Sequence, residues 1–279
     1  MTTAHKSRVL DMTRGDPFRL VLQFSLPLFC SNLLQQVYNL TDTALAGHLL
    51  GSAALAEIGA TAALYGLIMN FAFGMNNGLA LTVSRCFGAG EREGIRRAVG
   101  WMVTLSAAVS IVLTTVSLLG RGALLQVLQV PAEVWDGAAA YLTVILLGIP
   151  LTMLYNMEAA LLRAVGNSVT PLLFLLFSSV LNVGLDAAFM GPLGMGVRGA
   201  AVATVLAQGI SAVLGAVYLV RSYPELHFTL AHLKKSARRA VMNMFWAGMS
   251  MGLMSAIYNL GSVALQSSIN ALGSVYITA

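Results

Sequence analysis

Asn182 and Asp186 stand four residues apart in an otherwise apolar stretch that opens at Pro171 and runs to Met190. On a helix that spacing puts both on one face. A second carboxylate, Asp42, follows a run that is apolar from Leu20 to Leu34 and then turns polar as Gln35-Gln36-Val37-Tyr38-Asn39-Leu40-Thr41-Asp42. Thr204 and Tyr141 place hydroxyls early in two further apolar stretches. Two carboxylates with amide and hydroxyl oxygens suit Na⁺, a hard cation that takes oxygen ligands. The same pair could instead hold one proton between them, because like charges in contact oppose each other's ionisation. Plainer readings stand beside these. Asn182 and Asp186 could be hydrogen-bonding glue between helices, and Asp42, ~33 Å along a helix from Leu20, could lie at headgroup level.

The stretches that carry these residues are membrane spans. The 279 residues are 57% hydrophobic and only 10% charged, with a mean hydropathy of +0.78. The charged share is far below the roughly 25% of a soluble globular protein. Apolar runs of about 20 residues cross a bilayer, and seven such spans are expected. They cover Leu20 to about Ala46, Ala53–Ser84, Ala98–Leu119, Val134–Leu162, Pro171–Met190, Ala200–Val220 and Ala240 towards Asn270. Asp16-Pro17 reads as the start of the first helix, with proline at its first position. Gly74-Met75-Asn76-Asn77-Gly78 is a small-xxx-small face that predicts close helix packing.

If the N-terminus is cytoplasmic, the leader, the 2–3 loop (Arg85 to Arg97), the 4–5 loop and the 6–7 loop hold 4, 4, 1 and 5 Lys/Arg, 14 of the 16. This bias predicts a multi-pass inner-membrane protein with its N-terminus inside. It also accounts for the net charge of +5 without nucleic acid, since the charges face an anionic leaflet. Glu158 and Arg163, near the inner end of the fourth span, are expected to snorkel, and Glu57 is expected to be solvated. The fourteen methionines read as packing. His5, His48, His227 and His232 lack metal-ligand spacing, and Cys30 and Cys86 form no CxxC. Gly194-Met195-Gly196-Val197-Arg198-Gly199 fits a dinucleotide fingerprint but follows a membrane helix rather than a strand, so it reads as a turn. No protease, hydrolase or Walker A motif stands in the chain, so no enzyme or ATP-driven pump is expected.

The seventh span echoes the first. Tyr38-Asn39-Leu40 returns as Tyr258-Asn259-Leu260, Ala44-Leu45 as Ala264-Leu265, and, two residues out of register, Leu50-Gly51-Ser52 as Leu272-Gly273-Ser274. Six spans per copy put both copies in the same orientation, as in a parallel repeat. On this reading residues 1–19 are a cytoplasmic leader, 20–220 a six-helix lobe, 221–239 a basic inter-lobe linker, and 240–279 the first helix of a second lobe.

In combination and order, these residues resemble the multidrug and toxic compound extrusion (MATE) family: Pro27 with Asp42, the Gly88-Ala89-Gly90 turn, Arg163-Ala164-Val165-Gly166-Asn167 with Pro171, Asn182 to Asp186, and Gly199-Ala200-Ala201-Val202-Ala203-Thr204. The resemblance implies an all-α polytopic fold, the N-lobe of a two-lobed antiporter that exports cationic or amphipathic compounds in exchange for Na⁺ or H⁺. It implies that Asp42, Asn182, Asp186 and Thr204 form the N-lobe cation site. Tyr141 and Asn156, grouped here with Tyr38, would line the polar cavity, and Pro27 would be the bend point of the first helix. Asn156 reads equally as inter-helix glue. Transport is then expected to need the missing C-lobe or a second chain. Two rivals are carried: a lipid-linked oligosaccharide flippase of similar architecture, disfavoured because its cavity should be rich in Arg and Lys, and a half-length membrane protein that is inactive alone.

Overall fold

The computed structural model describes residue 10 and residues 15–128, 130–234 and 237–271; Lys6, Arg8, Arg14, Lys235 and the Leu272-Gly273-Ser274 echo lie outside them. The described residues are helical, without strands. In chain order they form α1 (Pro17–Leu50), α2 (Ser52–Gly88), α3 (Arg92–Leu119), the short α4 (Arg121–Val127), α5 (Trp135–Ala164), α6 (Val169–Met190), α7 (Val197–Ser222), the short α8 (Leu230–Lys234) and α9 (Arg238–Ala271). Short 3₁₀ turns stand at Ala132–Val134 and Pro224–Leu226. Seven helices, all but α4 and α8, are long and apolar enough to cross a membrane.

Local chemistry sets the boundaries. The Asp16 carboxylate accepts from the Phe18 backbone N–H at 3.2 Å, and Pro17 takes the first helical position, where its missing N–H costs nothing. Gly51, at φ 84°, adopts a left-handed turn that a side chain would disfavour, which separates α1 from α2. The helices run past the expected ends. The anticipated loop Arg85–Arg97 shrinks to residues 89–91, because its Arg and Glu residues are good helix formers. The segment 221–239 is likewise not a free tether. Phe228 and Leu233 from it lie over Gly100 of α3, where an added Cβ would meet them at 2.9 and 3.0 Å.

α5 is the central helix, packed on α2, α3, α6 and α7. Its Leu142, Leu146, Ile149 and Met153 join Met75, Leu79 and Met102 in the main core. Methionine fills gaps there, as expected. Asn76 crosses this core, accepting from Ser106 Oγ at 2.9 Å and donating to Ala72 O at 3.0 Å, so a buried amide is satisfied. The small face of α2 meets α9: a Cβ on Gly74 would stand 2.4 Å from Met251 O, and one on Gly78 2.5 Å from Ala247 O. Backbones in such contact are what a small-xxx-small face permits. α1 packs on α6 and α2 and leaves Leu22, Leu26, Phe29, Leu33, Val37 and Leu40 exposed.

Three charged residues depart from expectation. Glu158 does not snorkel. It is 4% exposed, with its carboxylate against Gly215 of α7, because α5 is enclosed by neighbours at that level. Arg163 is half-buried and turns to α2, donating to Asn77 Oδ1 at 3.1 Å and lying 5.6 Å from the Phe73 ring centroid. Glu57 is half-buried rather than solvated, and its carboxylate abuts Gly137 in the first turn of α5, where helix N-termini favour negative charge.

Candidate functional site

Four helices bring the polar residues together near the far end of the lobe, opposite the start of α1. α1 supplies Tyr38 and Asp42 from its second half, and α6 supplies Asn182 and Asp186 from one face. α7 enters from that end with Thr204, and α5 with Tyr141. Ala46, Ile145, Met190, Ala200 and Ala201 pack around Tyr141 as a small second core that holds these helix ends in place. The run Gly199-Ala200-Ala201 makes this possible: a Cβ at Gly199 would already stand 3.1 Å from the Phe189 backbone. The glycine and alanines therefore draw α7 against α6 and place Thr204 at Asn182.

Asp186 is fully buried, Asn182 is 1% exposed, and Thr204 and Tyr141 are each 6% exposed. Asp42 and Tyr38 are half-buried. Asn182 Nδ2 donates to Thr204 Oγ1 at 3.4 Å, and Thr204 Oγ1 donates in turn to Ala200 O at 3.0 Å. The Tyr38 hydroxyl lies within reach of Thr204, and Tyr141 faces both carboxyls. Asp42 and Asp186 lie within hydrogen-bonding reach of each other, but that bond forms only if one of them carries a proton. With both ionised, four oxygens have no well-formed hydrogen bond among the described residues: Asp42 Oδ1, Asn182 Oδ1 and both oxygens of Asp186, although the Asn182 amide lies within reach of Asp186. Buried acceptors in native proteins are normally satisfied, and a proton or a small cation is the kind of group that would satisfy this set. Among the described residues no three His, Cys, Asp or Glu converge. The donors are instead two carboxylates plus amide and hydroxyl oxygens, a set suited to a hard monovalent ion rather than a transition metal.

Asn156 stands apart. It lies ~22 Å along α5 from Tyr141, and its amide donates within its own helix to Thr152 O at 2.9 Å. Pro27 lies inside α1, which is continuous through it; the Pro27 carbonyl accepts from Ser31 Oγ at 2.8 Å. Two residues beside the site escaped the reading of the sequence. Tyr65 of α2 faces Asp42 and lies within hydrogen-bonding reach of Gln208 of α7, and Gln208 Oε1 accepts from Thr152 Oγ1 at 2.5 Å. The signal for Gln208 was its position four residues after Thr204, on the same face of α7.

The Arg163-to-Asn167 segment has a separate, structural task. Gly166 adopts φ 82°, and its carbonyl accepts from the Leu10 N–H at 3.0 Å. Asn167 Oδ1 accepts from the Thr170 N–H at 3.0 Å, and Asn167 Nδ2 donates to Tyr223 Oη at 2.9 Å. The turn thereby ties α5, α6 and the end of α7 together.

The MatE family model matches residues 27–188, more than half of the chain. The chain is 29% identical over 266 residues to the probable multidrug resistance protein YpnP of Bacillus subtilis, covering 95% of this chain and 59% of that relative. It is 28% identical over 229 residues to the probable multidrug resistance protein NorM of Thermotoga maritima, covering 80% of this chain and 49% of that relative. A solved structure of a MATE in the straight conformation superposes with a TM-score of 0.84 at 26% identity, over 95% of this chain and 58% of the other. The chain thus spans about half the length of the relatives it matches.

Proposed function

Since the chain belongs to the MATE family of membrane transporters, we propose that it works as the N-terminal lobe of a secondary antiporter that exports cationic or amphipathic compounds in exchange for H⁺ or Na⁺. The observation that carries this reading is the facing pair Asp42 and Asp186, with four oxygens around it that lack a well-formed hydrogen bond in the described chain. Neutralising the pair with a proton or Na⁺ removes an electrostatic cost inside the lobe. A substrate cation competing for the same charge would give the exchange its coupling. Coupling of this kind requires the bound ion to favour one conformation over another.

α1 is the element suited to respond. It carries Asp42 yet has few buried residues, whereas its partner carboxylate is anchored on the buried face of α6. Pro27 lacks the N–H that would bond to the Gln23 carbonyl, so α1 bends there at the least cost. Closing or opening the Asp42–Asp186 pair then moves the outer part of α1. Tyr38 and Tyr141 line the cavity around the pair, and the second lobe or a second chain supplies its other wall.

The test is ethidium efflux from cells producing the protein, in Na⁺-free and Na⁺-containing media, with wild type and Asp186→Asn. Efflux by wild type that falls to the vector background in the variant supports the site, and its Na⁺ dependence names the ion. Efflux unchanged in the variant removes Asp186 from coupling. Thermal unfolding of the purified chain separates lost binding from lost folding: Na⁺ or low pH stabilises wild type, and does so less in Asp42→Asn/Asp186→Asn.

A further inference from the structure

We propose that Glu158 is a second proton-binding site of this lobe, separate from the Asp42–Asp186 pair and set near the opposite end of the helices. Glu158 is 4% exposed on α5, six residues before its end at Ala164. It makes no hydrogen bond or ion pair within the described chain, and its carboxylate rests on Gly215, where even a Cβ would collide. An unpaired buried charge is among the costliest groups a fold can hold, and a proton removes that cost.

The surroundings supply a proton's needs and no counter-ion. Beside Glu158 is a cavity with about 10 Å³ of room for water, the space of one molecule, lined by Tyr155, Ser211, Leu162, Pro171 and Phe174. Ser211 is 1% exposed, and its hydroxyl has no partner in the described chain. The ionisable groups nearby are few. Tyr155 on α5 faces Glu158, and Arg163 points away to Asn77 and Phe73 of α2. α6 presents only Pro171 and Phe174, and α7 presents Ser211 and Gly215, with Tyr218 packed on Phe174 at 5.9 Å. A drug-sized ligand does not fit this space; a proton and one water do.

The site is also connected. Thr204, Gln208, Ser211 and Gly215 recur at steps of four, three and four along α7, one face turned to α5. Thr204 belongs to the Asp186 site, Gln208 is bonded to Thr152, and Ser211 opens on Glu158. A second cavity with about 10 Å³ of room for water lies between Thr204, Thr152 and Gln208. This polar seam spans ~16 Å of α7 from Thr204 to Gly215. Glu158 thus stands where a proton passing between the carboxylate pair and the leader-side surface would pause. That role rests on the antiporter reading; proton binding by Glu158 does not.

The experiment is pH-dependent infrared difference spectroscopy of the purified chain in detergent, read at the C=O stretch of protonated carboxyls. Wild type, Glu158→Gln and Asp42→Asn/Asp186→Asn are compared. The expected result is a band lost in Glu158→Gln and kept in the double variant. A Glu158→Gln spectrum identical to wild type overturns the proposal, and leaves the Asp42–Asp186 reading intact if the double variant still loses its own band. Should Glu158→Gln fail to fold, carbodiimide labelling of folded wild type decides. An adduct at Glu158 that falls away as pH rises supports the site; no adduct at any pH overturns it.

Discussion

A carboxylate in a membrane lobe is informative only when its partners are known. Asp186 has Asp42 opposite it and Asn182 one turn away; Glu158 has a serine, a tyrosine and a glycine. The first arrangement draws two charges together, and the second isolates one. Tyr223, just beyond α7, shows the same burial effect on a neutral group. Burial pushes its hydroxyl up to about 12, partly offset by the hydrogen bond from Asn167. The fold favours the neutral phenol, so this contribution is whole below the ordinary tyrosine value near 10 and is lost as pH rises towards about 12. In Tyr223→Phe, alkaline unfolding followed by circular dichroism should lose its drop across that window. Asn167→Ala, which strips partners from Thr170 and Tyr223, should cost about 1–3 kcal/mol in denaturant unfolding.

At the scale of elements, small residues decide which helices touch. Gly74 and Gly78 seat α9 on α2, and Gly199 seats α7 on α6. Gly78→Leu should destabilise the lobe by about 1–3 kcal/mol through overpacking against Ala247, measured by thermal shift in detergent. Gly59→Leu, with nothing within 4 Å of its Cβ position, should shift the melting temperature far less. α1 and the pairing of α6 with α7 behave differently because one is exposed and the other closed. In the proposed exchange, that contrast makes Asp42 the carboxylate expected to move.

At the scale of the molecule, charge should set how the lobe sits in the bilayer. Because 14 of the 16 Lys/Arg fall in the leader and in the loops expected to share its side, the positive-inside rule expects the start of α1 to face the cytoplasm. Ser52, at the start of α2, and Arg92, at the start of α3 just past the other end of α2, are both exposed. In a variant with Cys30 and Cys86 removed, Ser52→Cys should react with an impermeant maleimide added to intact cells, and Arg92→Cys only after permeabilisation. The reverse pattern would invert the lobe and put Glu158 on the outer side.

Residue order alone marks out the seven apolar helices and the residues that could meet, because span length, charge bias and three- or four-residue spacing are local properties. Asp42, Asn182, Asp186, Thr204 and Tyr141 were legible this way, each being polar in an apolar run at a similar depth. Burial and direction were not legible, because they depend on what the other helices place opposite. Glu158 and Arg163 sit five residues apart near one helix end and read alike in the sequence. Only packing decided that Arg163 reaches Asn77 and Phe73 while Glu158 is closed in against Gly215. Likewise Gln208 and Tyr65 joined the site through a contact between α2 and α7, residues 143 positions apart in the chain. Tertiary structure turned a row of plausible polar groups into a pair, a seam and a lone buried acid.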